Sequence, residues 1–328
     1  MGHTEPQAQT ADRYDHDVVI VGGGPAGCTA GVFIARQGVD TVIFDRGRSS
    51  IKRCAHLENY LGFPAGIDID TFYSLMHAHA EAAGCTVIPD MVESIDRCGE
   101  EQGFSVGLQE RDAVTARRVV AATRYDGEYM RGLDDETAMF ERYEYDGEEH
   151  EQFDREYADH DGTTPVEGLY IASPSAEADQ QAIIAAGRGA RVARQVIAEI
   201  RIEAGWWENV ARVYDWVRHE DDREFVGTTN EAWTDWFDTH YGDEAPVDPD
   251  TDRFKRVRQA VIENRRATYR TQETIDTDTT MGHRSLAEHL DVESIVAGVD
   301  DRALLEAMGD ETIREYVDGT IQSPEMSD

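Results

Sequence analysis

The sequence predicts an α/β protein built on a parallel sheet with a β-meander, followed by a helical C-terminal extension. Three observations predict it. Val18-Val19-Ile20-Val21 is a short β-branched run of the kind buried in a parallel strand. It breaks into a glycine-rich turn and continues as Ala26 to Arg36, where small and apolar residues recur at helical spacing. Beyond residue 204 the composition changes, with all five tryptophans between Trp206 and Trp236 in segments of helical periodicity.

The 328 residues suffice for one large or two ordinary domains, and 40% hydrophobic content furnishes a core. Against 67 acidic residues stand 31 basic ones, giving a net charge of -36, and only Lys52 and Lys255 are lysines. This balance argues against nucleic acid or an anionic membrane as partner, because both would be repelled. The acids are spread along the chain, which fits a halophilic solvation surface better than an acidic interaction surface. With no twenty-residue apolar span and no signal-peptide pattern near the N-terminus, the expected location is cytoplasmic.

The first strand, turn and helix carry the leading functional signal. Gly22, Gly24 and Gly27 fall in the pattern G-x-G-x-x-G. In that pattern the first glycine allows a tight turn, the second admits the backbone to a pyrophosphate, and the third lets helix pack on strand. Pro25 stands where the helix starts, where its missing N–H costs nothing. The helix N-terminus then presents N–H groups and a positive dipole end to phosphate. A second apolar strand, Thr41-Val42-Ile43-Phe44, ends in Asp45. An acid there accepts hydrogen bonds from an adenosine ribose and repels a 2′-phosphate. A glycine turn alone can also be purely structural. Turn and acid together point to dinucleotide-type binding.

GGGPAG, the spaced Asp45, and ENYLGFP at Glu58 to Pro64 resemble the thioredoxin-reductase branch of the FAD-dependent pyridine nucleotide-disulfide oxidoreductases. The resemblance covers residues 17 to 124 and 163 to 203, and implies an FAD/NAD(P)-binding Rossmann-like fold with FAD as cofactor. By that resemblance, Gly22, Gly23, Gly24, Pro25, Ala26 and Gly27 hold the diphosphate, and Asp45 and Arg46 lie at the ribose. Val87 to Ile95 reads as a strand in which Met91 and Val92 border the adenine. Phe104 to Leu108 and Arg117 to Thr123 resemble the strands closing the first FAD half. Gly168 to Ser173 and the helix starting near Gln181 form the return half. Gln181, Ala182 and Asn59 match family positions near the flavin, where a helix N-terminus stabilises negative charge on the reduced ring.

Departures from the family are equally informative. Where the family carries Ala-Thr-Gly this chain has Ala122-Thr123-Arg124, and where it carries Ala-Gly-Asp this chain has Ala172-Ser173-Pro174. The missing Asp hydrogen-bonds the ribityl chain in the family, so the flavin half of the site is weakened more than the adenosine half. The family also inserts a nicotinamide-binding module with a C-x-x-C disulfide between the two halves. Here residues 125 to 165 hold 15 acids and three arginines. A βαβ unit takes upwards of about 30 residues, so a second dinucleotide domain does not fit. An acidic, solvated connector is expected instead, anchored by Tyr125, Tyr129, Phe140 and Tyr143.

Cys28, Cys54, Cys85 and Cys98 stand far apart without a C-x-x-C pair, so they read as free thiols and no metal site is encoded. Cys54 follows Arg46, Arg48, Lys52 and Arg53, surroundings of the kind that promote thiol reactivity. Cys54 and His56 are the candidates for catalytic chemistry by position. A passive thiol is the competing reading of Cys54, since no resolving cysteine is visible. His77 and His79, two apart on a helix, point in different directions and receive no role.

The predicted organisation is a flexible N-terminus over 1–16, an FAD-binding domain over 17–203 with its connector at 125–165, and a helical region over 204–328. In the last part, Arg253 to Tyr269 is a basic helix candidate, and Arg284 to Val317 suggests short helices split by Gly298 and Gly309. The tryptophans read as core packing against the flavin domain rather than as a substrate cage. Two functions remain. One is an FAD-dependent oxidoreductase served by a small-molecule or protein redox partner, and the other a redox-inactive FAD- or ADP-binding regulatory or scaffold protein. Among the proteins this chain resembles, homodimers are common, so a homodimer is an assembly the resemblance allows, while the sequence itself does not fix the oligomeric state.

Overall fold

The computed structural model describes residues 14–99, 102–124, 126–173, 181–212, 216–225 and 229–319. β1 (His16–Val21) is followed by α1 (Pro25–Ala35), β2 (Thr41–Phe44), α2 (Ile69–Ala82) and β3 (Thr86–Ile88). β4 (Val92–Arg97), β5 (Phe104–Leu108) and β6 (Val114–Ala121) come next. The expected strand over Val87 to Ile95 is thus two strands. Pro89 lacks the N–H that would continue the ladder, and the buried Asp90 carboxylate accepts from Met91 N (2.8 Å) and Glu110 N (3.1 Å), which fixes a turn between them.

The sheet runs in the order β3-β2-β1-β6-β5-β4. Pairs β1/β2, β2/β3 and β1/β6 are parallel, whereas β4/β5 and β5/β6 are antiparallel. β6 is shared. Its first residues, Val114 to Ala116, pair with β5, and its last, Val119 to Ala121, pair with a late strand described below. The parallel sheet and the meander therefore meet on one strand.

Alternation along β1 builds two layers. Val18 and Ile20 face one side, packing with Ile43, Val120 and the apolar residues of α1. Val19 and Val21 face the other, with Val42, Phe44, Val119 and Phe104. This period of two is what a strand buried on both faces requires, and each such side chain contributes about 1.5–3 kcal/mol on burial.

The excursion between the two FAD halves is not only a solvated connector. A one-turn helix, α3 (Glu136–Met139), leads into a hairpin of β7 (Phe140–Tyr145) and β8 (Glu148–Phe153). Tyr129, Met130, Met139, Phe140 and Phe153 are buried against the sheet, and Phe140 and Phe153 meet edge to face. The acids stay outward on the hairpin, which reconciles the charge of this segment with a packed inner side. Tyr129 and Phe140 act as the expected anchors. Tyr143 lies on the exposed side, and Tyr125 lies outside the described residues.

β9 (Leu169–Ile171) then returns alongside β6, and α4 (Ala182–Glu203) packs against α1. The crossing is close because Gly189 has no side chain. A Cβ there would stand 2.1 Å from the Ala26 carbonyl oxygen. Pro174 and the stretch to Gln180 lie outside the described residues. At the other end of the domain, residues 1–13 also lie outside them, and residues 14–16, assigned by the sequence to the N-terminal segment, are held in place. Asp15 N donates to Thr115 Oγ1 (3.0 Å), its carboxylate accepts from Thr115 N (2.8 Å), and His16 opens β1.

Residues 1–272 form one compact unit and 273–328 a second, so the helical region from residue 204 falls into two parts. In the first, α5 (Glu208–Ala211), α6 (Asn230–Phe237) and α7 (Asp252–Ala267) are joined by a short parallel pair, β10 (Arg218–His219) with β11 (Tyr269–Arg270). Trp206, Trp207, Trp233, Phe237, Phe254 and Tyr269 share one core with Ala198 of α4, and Trp207 stacks on Phe254 at 5.7 Å. The tryptophans are therefore mainly core, as their spacing predicts. Trp216, 64% exposed, is the exception. The second unit contains α8 (Gln272–Ala287) from its second residue on, α9 (Val292–Ala297), α10 (Asp301–Met308) and α11 (Asp310–Val317). Asp291 and Asp300 cap α9 and α10, and Gly298 and Gly309 end them.

Candidate cofactor site

The C-terminal ends of β1, β2 and β6 open onto a cleft of about 360 Å³. β1 has β2 on one side and β6 on the other, so the chain leaves it where the strand order reverses. That is where open α/β sheets place their ligands. The turn from β1 to α1 forms the floor. Gly22 has φ +109°, and a Cβ on it would stand 2.8 Å from the Ala122 carbonyl oxygen. Gly23 needs its bareness for another reason. A Cβ there would lie 2.6 Å from Asp45 Cβ and 2.9 Å from His77 Nε2. α1 starts with Pro25, has no capping side chain and carries no acid in its first turn. Its positive dipole end consequently faces the cleft without an internal counter-charge.

Asp45, at the end of β2, lines the cleft and is only 6% exposed. Its Oδ1 accepts from Gly47 N (3.2 Å), and its Oδ2 accepts from the Tyr73 hydroxyl. His77 Nε2 stands 3.5 Å from the same Oδ2 and 3.0 Å from the Gly23 carbonyl oxygen. Burial, and then the neighbouring carboxylate, push the Tyr73 phenol above its usual range. Lys52 Nζ lies 4.2 Å over the Tyr73 ring. Arg46 pairs with Asp126 at 2.8 Å.

Met91 and Val92 border the same cleft from the turn between β3 and β4. Below them Asp90 holds Arg111 at 3.0 Å. Burial alone would raise the Asp90 carboxyl, but Arg111 and the N–H groups of Met91 and Glu110 hold it below the ordinary carboxylate range. After β6, Thr123 Oγ1 meets the Tyr129 hydroxyl at 2.8 Å. Arg124 has φ +68°, a left-handed conformation, and its N–H donates to Ser173 Oγ (3.0 Å).

The cradle fits a diphosphate-bearing nucleotide: three glycines without side chains, a helix N-terminus and a buried acid converge on one space. Residues 15–54 match the family model of an FAD binding domain. A thioredoxin reductase from Streptomyces coelicolor is 28% identical over 143 residues, covering 36% of this chain and 44% of that protein. The N-terminal part of the chain is therefore similar to an FAD binding domain and to thioredoxin reductases. A thioredoxin reductase from Schizosaccharomyces pombe is 29% identical over 114 residues, or 32% of this chain and 35% of that one. The chain thus matches less than half the length of these curated relatives. A solved thioredoxin reductase from Gloeobacter violaceus superposes with TM-score 0.48 at 18% identity, over 62% of this chain and 98% of that one.

The remaining predicted residues, Pro25, Ala26 and Gly27 in the first turn of α1 together with Cys54, His56, Asn59, Gln181 and Ala182, lie outside the cleft lining. Asn59 Nδ2 donates to Gln181 Oε1 at 2.8 Å, which joins the ENYLGFP loop to the start of α4. Ala182 packs beside Ile51, Leu57 and Phe72 and supports that junction. Cys54 and His56 are exposed, and His56 Nδ1 is 3.9 Å from Glu58 Oε1. Cys28 and Cys85 are buried thiols whose ionisation burial opposes, and Cys28 Sγ donates to the Gly23 carbonyl oxygen.

Sequence reasoning missed Tyr73 and His77, which the fold brings to Asp45. Their spacing of four on α2 was the available signal, since i and i+4 share a helix face. His79, two residues on, points elsewhere, and burial lowers its pKa.

Proposed function

We propose that the protein is an FAD-dependent oxidoreductase without a disulfide of its own, passing hydride or electrons between an external reductant and a substrate. The reductant is a diffusing nicotinamide or a partner protein, and the substrate meets the cofactor near Cys54 and Asn59. The observation that carries this reading is the convergence of the glycine turn, the N-terminus of α1 and buried Asp45 on one cleft. Backbone N–H groups around Gly22 to Gly27, with Pro25 and Ala26 opening the helix, hold the diphosphate. Asp45 accepts from the ribose, Arg46 stands beside it, and Met91 and Val92 flank the adenine. Gln181, fixed by Asn59, and Ala182 open α4, whose positive dipole end would favour negative charge on the reduced flavin ring. Bound FAD would supply the two-electron chemistry.

The purified protein should be yellow, with flavin absorption bands that bleach on addition of a reduced nicotinamide without oxygen. A sample that takes up no FAD, as purified or on reconstitution, overturns the reading.

A second reading is a redox-inactive nucleotide-binding protein. It is favoured by one observation: Ser173 stands where the family has its sequence Gly, Pro174 replaces the flavin-binding Asp, and Ser173 Oγ is engaged by Arg124 N. FAD that binds but is bleached by dithionite alone, and never by a nicotinamide or protein donor, favours this alternative.

A further inference from the structure

We propose that Tyr73 and His77 are positioning residues for the nucleotide, which hold the Asp45 carboxylate in the rotamer that reads the ribose hydroxyls. This rests on the reading that the cleft binds an adenine nucleotide. An aspartate at the end of a strand has a short side chain with two free torsions, so a buried acid needs partners to present one fixed edge. Here every contact comes from a different segment. The Tyr73 hydroxyl donates to Oδ2 from α2, Gly47 N donates to Oδ1 at 3.2 Å from the loop, and Gly23 closes on the Cβ from the β1–α1 turn.

His77 ties two of these segments together. One ring nitrogen lies 3.0 Å from the Gly23 carbonyl oxygen and 3.5 Å from Asp45 Oδ2, so the imidazole bridges the floor of the phosphate turn and the ribose acid. Tyr73 and His77 also contact each other, with ring centroids 4.5 Å apart. Lys52, over the Tyr73 ring, completes the surround. Each carboxylate oxygen carries two acceptor positions, and the single donation from Gly47 N leaves room on Oδ1 for a sugar hydroxyl from the cleft side. Tyr73 and His77 are absent from the cleft lining, so they act through Asp45 and not on the ligand.

The test separates positioning from general stability by using a ligand that lacks the atoms Asp45 reads. Calorimetric Kd values are measured on apoprotein for ADP and for 2′,3′-dideoxy-ADP. The wild type should prefer ADP by about tenfold or more, the size expected for hydrogen bonds to a charged acceptor. Tyr73→Phe should reduce that preference to about twofold, by weakening ADP while leaving dideoxy-ADP unchanged. His77→Gln, which keeps one polar contact, should fall between them, and Asp45→Asn should lose the preference as Tyr73→Phe does. A Tyr73→Phe protein that keeps the full preference overturns the proposal. So does one that weakens both ligands equally, since that is a fold defect. A wild type that binds neither ligand overturns the nucleotide reading itself, and the proposal with it. A wild type that binds both equally leaves that reading standing and sinks only the positioning role.

Discussion

Replacing Gly23 by Ala is the most direct perturbation of the site. Gly23 needs no left-handed backbone, so the substitution acts through space alone. Its Cβ would stand 2.6 Å from Asp45 Cβ and 2.8 Å from Asp45 Cγ. Ordinary carbon contacts are about 3.5–4.0 Å, so one partner must move by about 1 Å. Asp45 cannot move freely, because Gly47 N and the Tyr73 hydroxyl hold both its oxygens. Overpacking of this kind costs about 1–3 kcal/mol. Displacing the carboxylate forfeits at least one charged hydrogen bond, about 1.5–3 kcal/mol, from nucleotide affinity. Gly23→Ala should therefore unfold at a lower urea concentration than the wild type, and its apoprotein should bind ADP at least tenfold more weakly by calorimetry. If ADP affinity stays within twofold of wild type, the packing of the turn against Asp45 is not what shapes the pocket.

The other expectations are narrower. The Asp90 carboxyl is depressed in the folded state, so its contribution to stability is fully present above the unfolded value of about 3.9 and is lost as pH falls through the folded value. Asp90→Asn should lower urea stability near neutral pH, and below about pH 4 its deficit relative to wild type should shrink; a deficit constant with pH contradicts the assignment. Arg124→Gly relieves a left-handed backbone at φ +68° that costs a non-glycine residue about 1–2 kcal/mol, part of which glycine returns through unfolded-state entropy. A gain of about 0.5–1 kcal/mol in chemical denaturation is expected, and a loss of stability would show that the arginine side chain matters more than its backbone. Phe254→Ala removes the ring stacked on Trp207 and should cost about 3–5 kcal/mol, while ADP affinity per folded molecule stays unchanged; a tenfold loss of affinity would tie the tryptophan core to the cleft.

The parts legible in the sequence were those governed by local pattern. The β-branched run before Gly22 gave β1, helical spacing gave α1 and α7, and the glycines at 298 and 309 marked helix ends. Asp45, Met91 and Val92 reached the cleft because the order of a parallel sheet follows from its connections. What escaped depended on partners distant along the chain. The hairpin over 140–153 looked like a connector because its acids dominate composition, whereas its inward residues, Phe140 and Phe153, and Met139 just before it become apolar anchors only once a sheet exists to receive them. Tyr73 and His77 looked ordinary because their significance lies in Asp45, 28 and 32 residues earlier on another element. The break at Asp90 required knowing that Glu110 and Arg111 would return to it.

The sharing of β6 between two neighbours bears on how such chains diversify. Ala121 is paired with Ile171, so the chain leaves the sheet and comes back beside the strand it left. Whatever is spliced between those points adds loop length without changing any register, and loop length is thermodynamically inexpensive. The 140–153 ribbon is thus carried between two fixed points of the frame at small entropic cost, and a change in its length leaves the registers beneath the nucleotide cradle as they are.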